Sequence, residues 1–183
     1  MVQELAYKFD IKRLSGYFHS IRHLGTAGQV SISYRENGKP YQDGLGQAYT
    51  DQFEKLFDES DFKIIVDNEA NPIIDIIDQV KLVAKTNFNF SIGRIRFMTL
   101  SSKSCLSYHR DIESFRFHIP LTTNQSCFFV VNDRVYRMPN PGTLYTLRTD
   151  VFHTPVNANK DFERTHLVFS TYPTGSAQGR PTV

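Results

Sequence analysis

The sequence predicts a mainly β protein, a sandwich or jelly-roll barrel with N-terminal helices packed on one sheet. Three observations carry this. From residue 92 onward the chain breaks into short β-type runs separated by turn residues. Its 15 Phe and 9 Tyr, with no Trp, suit a pleated, half-buried surface. Helical periodicity is confined to the first ninety residues.

Residues 4–9 read as a strand. Asp10 then caps a helix whose apolar stripe is Ile11, Leu14, Tyr17, Phe18, Ile21 and Leu24, stopped by Gly25 and Gly28. Gln29–Tyr34 reads as a strand, Asn37–Pro40 as a turn and residues 41–50 as a loop. Asp51–Phe57 reads as a short helix, and Phe62–Val66 as strand or buried helix. The strongest helix runs from Pro72 to about Lys85, with Asn71 as N-cap and Ile73, Ile76, Ile77, Val80, Val83 and Ala84 on its buried face. The β-type runs are Ile92–Leu100, Phe115–Thr122, Cys127–Val131, Val135–Met138, Gly142–Leu147 and Arg164–Thr171. Residues 173–183, rich in Gly, Ser, Pro and Thr, read as a loose tail. No repeat or linker divides the chain. The expectation is a single domain over 1–183, with residues 1–90 supporting a barrel over 91–172.

Composition narrows the function. A net charge of +2 with scattered Lys and Arg leaves no electrostatic footprint for nucleic acid. No apolar stretch approaches the ~20 residues of a membrane span, and no signal peptide is visible. Two cysteines, Cys105 and Cys127, make no disulfide framework. A reduced, cytoplasmic protein is expected, monomer or homodimer, acting on a small molecule or peptide.

The chemistry centres on Tyr108-His109-Arg110-Asp111. In an extended segment, side chains at i and i+2 share a side, so His109 and Asp111 present a nitrogen and a carboxylate oxygen to one point. His153 falls between two predicted strands, where antiparallel chain reversal returns it beside the first pair. Two His and one carboxylate with open positions opposite is the ligand set of non-haem Fe(II) oxygenases. The plain alternative is a surface His-x-Asp and an unrelated His.

Arg164 opens the final strand, where a guanidinium pointing into a barrel holds a carboxylate bidentately. A dicarboxylate such as 2-oxoglutarate needs such a partner for its far end. Pairing with Asp161 is the structural alternative. In Arg116-Phe117-His118-Ile119-Pro120-Leu121, alternation sets Arg116 and His118 on one side, and such a pair inside a barrel calls for an anion.

Together the motifs Arg-Phe-x-x-Leu (from Arg96), His109-x-Asp111, Arg116-Phe-His-Ile-Pro-Leu121, His153-x-Pro-Val-Asn157 and Arg164-x-His-Leu167 resemble the aspartyl/asparaginyl β-hydroxylase family over about residues 92–172. The resemblance implies a double-stranded β-helix and an Fe(II)- and 2-oxoglutarate-dependent dioxygenase that hydroxylates a C–H bond of an Asp-, Asn- or Pro-like side chain. It implies His109, Asp111 and His153 as iron ligands and Arg164 as the clamp on 2-oxoglutarate, with Arg116 and His118 also touching that cosubstrate. Asn157 would shape the loop after the distal His. O2 is then the second cosubstrate and ascorbate a possible stimulant of turnover. The chain departs from the family in a longer Asn157–Glu163 loop and in Met98, where some members carry a small hydroxyl residue. Asp111 marks the carboxylate-retaining, bacterial-type branch. Tyr108, Arg110 and Arg96 are the candidate substrate contacts. Two other classes fit less of the motif set: a non-catalytic barrel that keeps these residues, and a zinc hydrolase on the same three ligands.

Overall fold

The computed structural model describes residues 1–50, 52, 54–64, 72–111 and 115–175. Strand β1 (Val2–Lys8) leads into helix α1 (Ile11–Ile21). Asp10 caps this helix as its sequence requires, accepting from the backbone N–H groups of Lys12 and Arg13. Leu14, Phe18 and Ile21 form its buried face, and Leu24 follows in a single 3-10 turn. The run expected as one strand over 29–34 is broken at Ile32 into β2 (Gln29–Ser31) and β3 (Ser33–Tyr34). There the Ser31 hydroxyl bonds the Ser33 carbonyl, a local turn within the run, while the Ile32 N–H still bonds the Ile95 carbonyl in register with Ser31 opposite Arg96.

The short helix expected over Asp51–Phe57 does not form in the described part of that segment; Asp51 and Phe53 lie outside it. Lys55 instead bridges Tyr49, and Glu54 N–H bonds the Thr50 hydroxyl, closing a local turn that competes with a helix. β4 (Lys63–Ile64) settles the 62–66 run as strand over its described residues.

Helix α2 (Ile74–Phe88) begins two residues later than expected and extends further. Asn71 lies outside the described residues, and Pro72 and Ile73 form a turn rather than the first helical positions. Ile73 occupies the cap without a side-chain bond, anchored by complete burial. Asn89, in the left-handed conformation, ends the helix, and its N–H reaches the Ala84 and Lys85 carbonyls.

The remaining strands are β5 (Phe90–Leu100), β6 (Ser104–Cys105), β7 (Phe115–Thr122), β8 (Cys127–Val131), β9 (Arg134–Tyr136), β10 (Thr143–Arg148), β11 (His153–Asn157) and β12 (Arg164–Pro173). Six of the strands form a major sheet in the order β1-β10-β7-β12-β5-β2, antiparallel throughout. A minor sheet, β6-β11-β8-β9, faces it. Two strands went unread. β11 carries Pro155, which argues against a central strand, and β6 has only two residues. Pro173, read as the start of a tail, closes β12 opposite Phe90; residues 176–183 lie outside the described set.

Period-2 alternation divides the major sheet's side chains between two cores. Ile95, Phe97, Phe117, Ile119, Leu167 and Phe169 point outward and pack with Leu14 and Phe18 of α1 and Ile76, Ile77 and Val80 of α2. Tyr145 and Leu147 point inward to Phe129, Val131 and Met138, closing the space between the sheets. The helices therefore do pack on one sheet, and the polar inward residues are left to build a site. Among the described residues no helix is long and apolar enough to cross a membrane.

Candidate metal and cosubstrate site

His109 and His153 are joined through the backbone. Each N–H donates to the other's carbonyl, at 3.1 Å from His109 and 2.7 Å from His153, in an isolated antiparallel bridge at the end of β11. Asp111 N–H donates to the Thr149 carbonyl at 2.7 Å, so the extended segment continues to the carboxylate. This is the i, i+2 geometry that His-x-Asp requires. Donor atoms of His109, Asp111 and His153 all lie within 4.8 Å of one another.

The two imidazoles are oriented alike. His109 Nδ1 lies 2.7 Å from the Ser107 carbonyl and His153 Nδ1 2.9 Å from the Val151 carbonyl. A carbonyl only accepts, so both Nδ1 atoms carry the proton and both Nε2 lone pairs face the centre. Each Nε2 is 3.8 Å from a different oxygen of Asp111. Burial pushes the His153 imidazolium below its usual pKa, which keeps the ring neutral and able to ligate. Arg116 Nη2 approaches Asp111 Oδ2 to 2.7 Å, an ion pair whose approach is out of line for a hydrogen bond. Two neutral nitrogens and one carboxylate oxygen, converging from three side chains, fit a divalent transition metal with open positions.

Deeper between the sheets lies a second polar group. Arg164 is buried, its guanidinium 4.6 Å over the Phe129 ring, and its Nη2 donates to His166 Nδ1 at 3.2 Å. Burial lowers its pKa to about 10, so it stays cationic at neutral pH. Among the described residues no carboxylate pairs with it; Asp161, the alternative partner, is exposed. His118 stands edge-on to both Phe129 and His166. Among the described residues, both nitrogens of His118, Nε2 of His166 and the Ser170 hydroxyl are buried without a partner. Burial holds His118 and His166 well below the usual imidazole range, so both are neutral. A buried cation beside several orphaned polar atoms is costly unless an anion with its own acceptors completes it. The residues present fit a carboxylate ligand.

Arg116 and His118 thus take the inward side expected of them, and Phe117, Ile119 and Leu121 the other. Asn157 also acts as read. Fully buried, it donates to the Leu100, Ser101 and Phe162 carbonyls and ties the β11–β12 loop to the end of β5.

A cavity of about 460 Å³ opens beside the His109–Asp111–His153 cluster, and both Arg96 and Arg110 line it. Tyr108 does not. Its ring lies against Phe152 and its hydroxyl bonds Asp133, and these two contacts hold it outside the cavity lining. Sequence reasoning missed His166 and Ser170, although both follow from Arg164 by steps of two along β12. It also missed Glu59, buried and paired with Arg94 at 2.6 Å. That carboxylate also accepts the Arg94 N–H at 2.8 Å, beside Gly93, where a Cβ would fall 2.5 Å from Glu59 Oε2. Glu59 binds the 44–59 connection to β5 at the cavity rim.

Comparison with solved structures agrees with this architecture. An oxidoreductase of the 2OG-Fe(II) oxygenase family from Burkholderia pseudomallei aligns over 93% of this chain and 82% of its own, at TM-score 0.60 and 15% identity. A prolyl-4-hydroxylase from Pseudomonas putida aligns over 95% and 93%, at 0.53 and 11%. HygX from Streptomyces hygroscopicus, solved with nickel and 2-oxoglutarate bound, aligns over 95% and 83%, at 0.51 and 8%. At these identities the likeness speaks for the double-stranded β-helix fold. No curated protein matches the sequence. The sequence model of the aspartyl/asparaginyl β-hydroxylase family, however, matches residues 69–173, more than half of the chain and all of the strands from β5 to β12. The chain belongs to the aspartyl/asparaginyl β-hydroxylase family of 2-oxoglutarate- and Fe(II)-dependent oxygenases.

Proposed function

We propose that this oxygenase hydroxylates a C–H bond of an amino acid or of an Asp-, Asn- or Pro-like peptidyl side chain. His109, Asp111 and His153 hold Fe(II), and Arg164 holds the far carboxylate of 2-oxoglutarate. The observation that carries the reading is the pairing of two unfinished sites in one barrel. Three donors converge at its mouth, and a buried guanidinium without a carboxylate partner lies deeper. Bound iron, 2-oxoglutarate and O2 supply the oxidising chemistry that puts one oxygen atom on carbon and releases succinate and CO2.

The chain's own residues orient and insulate. The Ser107 and Val151 carbonyls hold both imidazoles with Nε2 forward. His118 and His166 donate N–H groups toward the bound anion, and Arg116 shares Asp111 between its own charge and the metal's. Phe129 forms a dry wall beside Arg164, which strengthens the guanidinium's hold on a carboxylate. Retention of Asp111 favours the bacterial-type branch. A zinc hydrolase would leave Arg164, His118 and His166 buried to no purpose.

The test is succinate formation from 2-oxoglutarate by purified protein with Fe(II), with and without ascorbate. Calorimetric binding of 2-oxoglutarate to the Ni(II)-loaded protein accompanies it. Binding and Fe(II)-dependent succinate are expected; the lack of both rules the reading out.

A further inference from the structure

The cavity beside the cluster carries an excess of positive charge. Arg94, Arg96, Arg110 and Arg116 line it, against a single lining carboxylate, Asp111. Arg94 is balanced by Glu59 and Arg116 by Asp111. Arg96 has no carboxylate partner among the described residues, although it is 1% exposed. Its hydrogen bonds are one-sided. Nη1 donates to the Gly44 and Gly46 carbonyls and to Gln29 Oε1, at 3.1–3.3 Å. Among the described residues Nε is buried without a partner, and the side chain's hydrogen bonds all leave from Nη1 rather than Nη2. The unused Nε–Nη2 edge is the fork that grips a carboxylate with two parallel bonds.

Arg96 is not a second copy of the Arg164 site. In the β12–β5 register Arg164 pairs with Leu100 and Val168 with Arg96. The two arginines are therefore offset by four residues, roughly 13 Å along the strands. Arg164 neighbours Phe129 and His166, whereas Arg96 opens into the cavity that His109 and Asp111 line.

Resting on the iron-site reading above, we propose that Arg96 is the specificity residue for the substrate to be hydroxylated, that this substrate presents a carboxylate to the Nε–Nη2 edge, and that the corresponding amide is rejected. The physical reason is donor count. The guanidinium edge offers two N–H groups and no acceptor, so an amide nitrogen placed there would face a donor and leave buried groups unpaired. The same side chain fastens the Gly44–Gly46 segment by its other edge, so the cavity wall is formed before substrate arrives.

The experiment uses the Ni(II)- and 2-oxoglutarate-loaded protein, which cannot turn over, and reads binding by calorimetry. The probes are free L-amino acids, each against its α-carboxamide. N-acetyl-L-aspartate methylamide against its asparagine counterpart stands for a peptide. At least one acid should bind with its amide about tenfold weaker or worse. Arg96→Gln should erase that preference and leave 2-oxoglutarate affinity within about threefold. Should Arg96→Gln not fold, Arg96→Lys, which keeps the charge and removes the fork, takes its place with the same expected loss of preference. The proposal is overturned if no acid binds, if acid and amide bind alike, or if Arg96→Gln keeps the preference. It is equally overturned if Arg96→Gln weakens 2-oxoglutarate as much as Arg164→Gln does. Loss of 2-oxoglutarate binding by the unchanged protein refutes the iron-site reading instead, so the two failures are distinct.

Discussion

His109 and His153 hold each other by a closed pair of backbone hydrogen bonds, and their rings stand 4.5 Å apart. Residues far apart in sequence thus reach one point through main-chain geometry, before any metal is bound. His153→Ala should leave that bridge and the fold intact while removing one donor. Ni(II) affinity is expected to fall by about 100-fold or more, beyond the effect of losing an outer-shell partner. Unchanged affinity in calorimetry would remove His153 from the site.

Arg164→Ala should act on the other ligand. Losing a buried guanidinium that pairs with a carboxylate costs about 2–5 kcal/mol, so 2-oxoglutarate binding weakens steeply while Ni(II) affinity alone stays near its original value. Equal loss of metal in Arg164→Ala and His153→Ala would contradict the separate roles.

The buried imidazoles set a pH response. His118 and His166 have pKa values depressed by burial, so between those values and the usual 6.5 the unfolded chain binds more protons than the folded one. Stability of the metal-free protein should therefore rise with pH through that window and be lost as pH falls below about 6.5. The slope should be at most about 1.4 kcal/mol per pH unit for each ring. Urea unfolding at pH 5.5 and 7.5 measures it, and His118→Phe should flatten the difference. Equal stability at both pH values would mean the rings are not buried neutral.

Glu59→Ala strands Arg94 in a dry site. Breaking a buried pair in this way costs about 3–5 kcal/mol, visible as a lower urea midpoint. The cavity rim should loosen with it, read as faster hydrogen exchange over residues 44–50. A change under about 1 kcal/mol would mean solvent reaches Arg94.

Much of this arrangement was legible because alternation carries it. Arg116 and His118 are two apart, as are His109 and Asp111, and the sheet sends each pair to one side. What was not legible depended on distant partners. Glu59 sits in a segment with no periodicity, and only its contact with Arg94 explains its burial. β11 was hidden by Pro155, which the sheet tolerates opposite Phe129. In the described part of 51–57, where a helix was expected, Glu54 turns back on Thr50 and the Phe57 ring lies under the guanidinium of the distant Arg35. Tyr108 was misplaced because nearness in sequence was taken for nearness in space.

Among the described residues the helices pack against the outer face of the major sheet. The residues read as gripping cosubstrate and substrate, Arg164, His166, His118 and Arg96, all stand on that backed wall. His153 stands on the minor sheet and His109 is bridged to it, while the minor sheet's outward Val130 and Val156 are only half-buried. The barrel is therefore lopsided: the residues read as ligand contacts stand on a helix-backed plate, and a thinner leaf brings up the histidines. A metal ion drawing on Asp111 and both histidines would act as a rivet across the open edge, so its removal should loosen β8 and β11 well before it disturbs β7 or β12.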